Sequence, residues 1–140
     1  MSYVFVIPGT LPGLNDYINA ERKPEKGRYI ANRMKRESMD KVLLAARQQL
    51  GNIKFSGPVS IFYAWVEPNR RRDKDNISSY GRKIIQDALV KGGYLEGDGW
   101  KDIEWFSDEF AVDRKNPRII VDIAGYVDYR QGAEEKWKQK

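Results

Sequence analysis

Residues 59–89 read VSIFYAWVEPNRRRDKDNISSYGRKIIQDAL, and this stretch decides the fold class. Its first part, 59–66, is rich in β-branched and aromatic residues, which is typical of a buried strand. From 77 to 91 apolar residues recur at helical spacing, and Gly92 and Gly93 follow as a C-cap, so we predict a helix there. A buried strand followed by an amphipathic helix indicates an α/β protein.

The rest of the chain extends this prediction to one small domain. The patterns predict one further helix and three further strands, namely a helix over 32–50 and strands over 3–7, 103–110 and 118–124. Residues 8–30 are rich in Pro, Gly and Asn, so we predict a long loop that binds substrate. The expected architecture is a mixed β-sheet with two main helices over 1–126, followed by a polar C-terminal tail over 127–140.

The chain contains neither cysteine nor histidine, and this restricts its chemistry. Structural zinc sites and catalytic groups with a histidine base are excluded. Hydrolysis would have to use carboxylates, lysine or a hard cation that binds oxygen. Mg²⁺, or alternatively Mn²⁺, is the expected cofactor.

Several features indicate the compartment. There is no cysteine for disulfides, no apolar run near the ~20 residues of a membrane span, and no secretory signal in the opening MSYVFVIPG. We therefore expect a cytoplasmic protein without a membrane partner.

Positive charge is concentrated in two places. The window 22–36 holds seven basic residues against the single acid Glu25, and 70–72 is a run of three arginines. Clustered cations favour a polyanionic partner because binding releases counterions from phosphates, although a solvated basic face is an equally good explanation of charge alone. The residues we expect to contact nucleic acid on this basis are Arg22, Lys23, Lys26, Arg70, Arg71 and Arg72.

Two aspartates lie two positions apart where the strand gives way to the helix. If the backbone there is extended, the carboxylates of Asp73 and Asp75 leave on one face about 7 Å apart, and they can converge on one cation. The alternative is that one of them caps the helix. A cap explains one aspartate and leaves the other unexplained.

A third acid and a lysine complete the set. Asp98 stands between two glycines, which remove bulk around its carboxylate, although an aspartate in a turn is also common. Lys83 lies eight residues after Asp75, about two helical turns, and Asp87 follows four residues later, so these two also fit an ordinary surface pair. Three acids with a lysine and flanking arginines match the needs of metal-assisted phosphodiester hydrolysis.

Residues 72–123 resemble the RusA family of Holliday-junction resolvases. The likeness rests on RRDKDN, a helix ending in DAL, a Gly-rich turn with an acid, and a strand; IPGTLPGLNDYINAER is similar to the family's Pro-rich front loop. The resemblance implies a Mg²⁺-dependent homodimeric endonuclease that nicks four-way DNA junctions. It implies catalytic roles for Asp73, Asp75, Asp98 and Lys83, with the three aspartates as metal ligands, and DNA contacts for Asn15, Tyr17 and Asn76.

The chain departs from the family pattern in two places. The interval from Asn76 to Asp87 is four residues longer than usual, and an alignment without a gap puts Ser79 at the lysine position. We place the insertion before Lys83 because this keeps the spacing to DAL. The family also often has adjacent acids where this chain has Gly97 and Asp98.

Other functions remain as alternatives. An endonuclease could prefer flaps, forks or other branched DNA. A non-catalytic nucleic-acid-binding module would use the acids only to cap the helix and balance the arginines. An enzyme acting on nucleotides is disfavoured because the sequence has no GxxxxGK[ST] motif.

Overall fold

The computed structural model describes residues 2–130 of the chain. In this part four strands and three helices follow one another as β1 Ser2–Pro8, α1 Leu14–Glu21, α2 Gly27–Leu50, β2 Ile53–Glu67, α3 Lys74–Lys91, β3 Ile103–Val112 and β4 Arg118–Tyr129. None of the helices described has the length and apolar character needed to cross a bilayer.

The strands form one mixed sheet in the order β1-β4-β2-β3. β2 and β3 are parallel, whereas β4 is antiparallel to both β1 and β2. The predicted small α/β fold with a mixed sheet is therefore confirmed. β4 continues to Tyr129, which pairs with Ile53, and so includes three residues of the predicted tail; 131–140 lie outside the described residues.

The core lies between the sheet and the helices. Alternate residues of the central strands are fully buried, including Ile61, Tyr63 and Trp65 of β2. Helix α3 packs very closely on β2, because a Cβ at Gly81 would lie 2.6 Å from the Trp65 ring. This close approach sets the height of α3 above the sheet.

The predicted loop over 8–30 is wrong, because this segment contains α1 and the start of α2. The Pro and Gly residues that suggested a loop flank α1 and do not interrupt it. The Asp16 carboxylate accepts a hydrogen bond of 2.8 Å from the Gly13 N–H, which closes the first turn. A side chain at Gly27 would meet the carbonyl of Glu21, so glycine lets α2 begin directly against the end of α1.

Other elements begin earlier than predicted. β2 starts at Ile53. The sequence pattern did not predict residues 53–58 because a register shift between Ser56 and Ser60, with Gly57 at φ 77°, breaks the alternation that marks a strand. α3 starts at Lys74. The prediction began only at Ile77 because the first turn of the helix is polar and carries no hydrophobic periodicity.

Candidate metal and nucleic-acid site

Asp73 and Asp75, here called the acid pair, lie at the N-terminus of α3. Asp73 is the N-cap residue with extended backbone angles (φ −67°, ψ 148°), whereas Asp75 is already inside the first helical turn. Both side chains are exposed, and the Asp73 carboxylate makes no capping hydrogen bond. Within residues 2–130 neither carboxylate has a hydrogen-bond or ion-pair partner. Capping therefore accounts for the backbone of Asp73 but not for either side chain.

A cleft of about 460 Å³, here called the α3 cleft, opens beside the acid pair. Its lining includes Asp73, Arg70 and Lys74 together with Phe110 of β3. The Lys74 ammonium lies 5.5 Å from the centre of the Phe110 ring. The cleft thus presents a carboxylate together with two cations, an arrangement that can hold a metal ion next to a phosphate.

The guanidinium of Arg72 bonds groups of the protein itself. Its Nε and Nη2 donate to the two carboxylate oxygens of Glu67 at 2.9 and 2.8 Å, and Nη1 donates to the Leu11 carbonyl at 2.9 Å. The Glu67 side chain is only 8% exposed, so this charge needs its partner. Arg72 was predicted to contact nucleic acid; the structure places it between the end of β2 and the loop after β1.

Lys83, Asp87, Asp98 and Lys35 form a second group, here called the lysine cluster. Lys83 Nζ lies 3.1 Å from Asp87 and 3.3 Å from Asp98, and Lys35 of α2 reaches Asp87 at 3.0 Å. The hydrogen bond to Asp87 raises the pKa of Lys83. Burial acts to raise the pKa of Asp87, but the hydrogen bonds from Lys35 and Lys83 outweigh it and lower that pKa. Lys83 is therefore a cation at neutral pH and stabilises negative charge.

The turn around Gly97 and Gly99 is stabilised by Asp102 and not by Asp98. Asp102 has that function, because its Oδ2 accepts a hydrogen bond of 3.2 Å from the Gly99 N–H. A Cβ at Gly97 would collide with the same carboxylate, so the glycine makes room for Asp102. The Asp98 side chain is thereby left to contact Lys83.

The three predicted metal ligands do not lie together: Asp73 and Asp75 are at the start of α3, whereas Asp98 lies beside Lys83. Lys83 follows Asp75 by eight residues in α3, which corresponds to about 12 Å along the helix axis. Asp98 sits at the level of Lys83. Within residues 2–130, no three acidic side chains are grouped closely enough to hold a metal ion.

The acid pair by itself has the donor type that a hard divalent cation prefers. Mg²⁺ is commonly held by one or two carboxylates, with water and substrate phosphates completing its shell. Asp73 and Asp75 supply two exposed carboxylates without internal partners, which is the donor type of such an ion. The extended backbone that would place both carboxylates on one face is found at Asp73 alone, because Asp75 is already helical.

Asn15, Tyr17 and Asn76 hold α1 against α3. The Asn15 N–H donates to Asn76 Oδ1 at 2.8 Å, and the Tyr17 ring stacks on Tyr80 with centroids 5.0 Å apart. Burial raises the pKa of Tyr80 to about 12. The structure thus brings these three predicted residues to the N-terminal half of α3, where they make packing contacts.

Arg22, Lys23 and Lys26 are exposed at the connection between α1 and α2. Lys23 lines a cleft of about 590 Å³ that also has Arg72 in its wall. Because Arg72 also lines the α3 cleft, the two clefts adjoin. Lys23 of the basic connection and Asp73 of the acid pair therefore line adjoining clefts.

Three residues that contact the predicted site residues were not predicted from the sequence. Glu67 could have been suspected, because it is a charged residue directly after an apolar run. Lys35 and Phe110 come from elements distant in sequence, and no local spacing links them to α3.

Comparison with known proteins adds no assignment. Neither protein-family models nor curated proteins give a match to this chain.

Proposed function

We propose that the chain is a Mg²⁺-dependent endonuclease that hydrolyses phosphodiester bonds in branched DNA, with the four-way junction as its substrate. The observation that carries the proposal is the acid pair, two carboxylates without internal partners beside a cleft that contains Arg70 and Lys74. The resemblance to the RusA family supports the choice of substrate.

Each group has a role in the proposal. Asp73 and Asp75 would hold Mg²⁺, or Mn²⁺, which when bound lowers the pKa of a coordinated water and offsets charge on the phosphate. Arg70 and Arg71 bind neighbouring phosphates. Lys83, which the resemblance implies as the catalytic lysine, would stabilise developing negative charge only after its ammonium leaves Asp87 and Asp98 and reaches the acid pair about two helical turns away.

Asp98 serves in this proposal as a partner of the Lys83 ammonium, to which it is bound at 3.3 Å. Service as a third metal ligand, as expected from the sequence, would require its carboxylate to leave Lys83 and reach the acid pair about two helical turns away.

The proposed enzyme acts as a homodimer in the cytoplasm. A four-way junction has two-fold symmetry, and a C2 dimer supplies two equivalent sites related by a matching axis. Symmetric nicking of the junction follows from this arrangement.

The test is cleavage of a synthetic four-way junction. We expect nicking with Mg²⁺ and none with EDTA. Asp75→Asn should reduce the rate at least about 100-fold, because the ion supplies several kcal/mol of stabilisation, and should leave junction binding intact. The matched control Asp40→Asn changes an exposed acid of α2 and should keep the wild-type rate.

A wild-type rate for Asp75→Asn would show that the acid pair does not hold the metal. Parallel assays with a flap, a fork and a linear duplex test substrate preference. Faster cutting of the flap or fork than of the four-way junction would show that the preferred substrate is another kind of branched DNA.

A non-catalytic nucleic-acid-binding module is the second candidate. It is favoured by the lack of any group of three acids within residues 2–130. It predicts junction binding with a steep salt dependence and no cleavage with any divalent metal.

A further inference from the structure

A cleft of about 470 Å³ is formed by the start of β3 and the turn that precedes it. Its lining includes Trp100, Ile103, Trp105 and Phe106, and we call it the aromatic cleft. Of the three tryptophans in the described part of the chain, Trp65 is buried, whereas Trp100 is fully exposed and Trp105 is 63% exposed. Exposed aromatic rings that gather at one cleft indicate a binding site for a ligand with an apolar surface.

The aromatic cleft lies along the same strand as the α3 cleft. Phe106 and Phe110 are four residues apart in β3, and each pairs with a β2 residue that is buried under the helices. Phe106 in one cleft and Phe110 in the other are therefore on the same face of the sheet, about 14 Å apart along the strand. A DNA strand held at the acid pair can thus reach the aromatic cleft within a few nucleotides.

The acids of the aromatic cleft exclude a phosphate from it. Asp98 and Glu104 are in its lining, which contains no basic residue. The Glu104 side chain is exposed and has no hydrogen-bond or ion-pair partner within residues 2–130. These carboxylates would repel a phosphate, so the ligand is a neutral or a cationic group.

The cations around the cleft disfavour a cationic ligand as well. The Arg82 guanidinium lies 4.9 Å from the centre of the Phe106 ring, and the Lys83 ammonium lies 3.3 Å from Asp98. A lysine or arginine side chain of a partner protein would therefore meet cations that already occupy the ring and the carboxylate it needs. A neutral, flat group meets no such opposition.

The hydrogen-bonding groups that remain in the cleft are acceptors. The Glu104 carboxylate is free, and Gln86, which donates to Tyr63 Oη at 3.1 Å, keeps its side-chain carbonyl oxygen. A nucleobase such as cytosine or adenine has two apolar faces and an amino group that a carboxylate or amide oxygen accepts. The base must be unpaired, because in a duplex its faces are stacked and its amino group is bonded to the other strand.

We propose that the aromatic cleft binds an unpaired nucleobase of the DNA substrate, which stacks on Trp100 and donates its amino group to Glu104. The phosphate of that nucleotide stays outside the cleft, where the exposed Lys101 of the same turn can contact it. This inference rests on the proposed DNA substrate, but it requires neither the metal ion nor cleavage. It gives the chain a preference for DNA with unpaired bases near the phosphate that is cut.

The test is the affinity of the full chain for labelled single strands of ten nucleotides, measured by fluorescence anisotropy in EDTA so that no strand is cut. The strands are one of alternating adenine and cytosine, one of thymine, and one of abasic nucleotides with the same phosphates. Wild type should bind the abasic strand about 5- to 150-fold more weakly than the adenine–cytosine strand, because stacking on the aromatic ring is lost. The thymine strand should lie between them, because thymine stacks but has no amino group.

Three substitutions locate the effect, with one control. Trp100→Ala should weaken binding of the adenine–cytosine strand at least about 5-fold without changing the affinity for the abasic strand, whereas Trp100→Phe should keep most of the affinity. Glu104→Gln should reduce the ratio of affinities for the adenine–cytosine and thymine strands. Tyr126→Ala removes a ring of β4 that is 83% exposed and should bind all three strands as wild type does. Far-UV circular dichroism should be unchanged in all variants.

Two results would overturn the inference: equal affinity of wild type for the base-containing and abasic strands, or equal effects of Trp100→Ala and Tyr126→Ala. Cleavage of a four-way junction with Mg²⁺ is measured separately on the same proteins. Cleavage without base-dependent binding would refute only the base site. Base-dependent binding without cleavage would refute only the proposed endonuclease.

Discussion

Three consecutive arginines of this chain have different environments. Arg70 and Arg71 are exposed, whereas Arg72 is half-buried and gives its guanidinium to Glu67 and to the Leu11 carbonyl. The difference arises because Glu67 is the last residue of β2 and lies under the turn that carries the arginines. A run of like charges is therefore not one functional unit, and only its exposed members can face a phosphate.

This difference predicts unequal effects of the two alanine substitutions on stability. Arg72→Ala should lower the free energy of unfolding by about 3–5 kcal/mol, because it leaves the buried Glu67 carboxylate without a counter-charge. Arg71→Ala should change it by no more than about 0.5 kcal/mol. Urea unfolding followed by circular dichroism measures both.

The double variant Glu67→Gln, Arg72→Ala serves as a check. It should recover a large part of the lost stability, because the buried charge is gone. Equal stability of Arg72→Ala and Arg71→Ala would contradict this assignment of Arg72.

At the scale of the elements, α1 shows how packing overrides local preference. An isolated helix of eight residues is not stable in water. Here the Asn15 backbone bonds Asn76, and Tyr17 stacks on Tyr80, so α3 supplies the stabilisation. The contact positions α1 directly beside the turn that carries the acid pair.

The same contact predicts a steric coupling between Gly13 and Asn76. Gly13 has an ordinary φ of −85°, so alanine there is conformationally allowed, yet its Cβ would lie 2.6 Å from Asn76 Oδ1. Gly13→Ala should lower stability by about 1–3 kcal/mol. In an Asn76→Ala background the same change should have little effect, because the obstructing amide is absent. A double-mutant cycle in urea measures the coupling.

Additive effects of Gly13→Ala and Asn76→Ala would contradict the contact. Gly99→Ala provides a control for glycine replacement itself, since a Cβ there would approach no atom closer than 3.8 Å.

For the whole molecule, charge is distributed unevenly. The net charge is +5, and the seven basic residues of 22–36 lie on the α1–α2 connection and on α2. Three paired rows cross the face of the sheet opposite the helices, from the row that joins Ser2 to Trp105 to the row that joins Val6 to Glu109, and none of them contains a basic residue. Positive charge is therefore concentrated at the α1–α2 connection and along α2, and not on the central rows of the sheet.

This asymmetry predicts the salt dependence of DNA binding. Replacing Arg22, Lys23 and Lys26 together by alanine should reduce the slope of log K against log salt concentration by roughly 0.9 per lost phosphate contact, up to about 2.7. Replacing Lys54, Lys91 and Lys101 removes the same charge from the opposite end of β2 and should leave the slope nearly unchanged. Equal reductions in the two triple variants would show that only net charge matters.

The sequence by itself determined the α/β class, the strand β2, the helix α3, and the position of the acid pair where one becomes the other. It also predicted the Lys83–Asp87 pair, observed at 3.1 Å. These features were accessible because alternation and helical spacing are local properties of the chain. Only the tertiary structure decided the helix α1, the burial of Arg72 against Glu67, and the contact of Lys35 with Asp87. Such contacts depend on how the helices pack on the sheet; the Asn15–Asn76 bond joins residues 61 positions apart, and no periodic pattern records it.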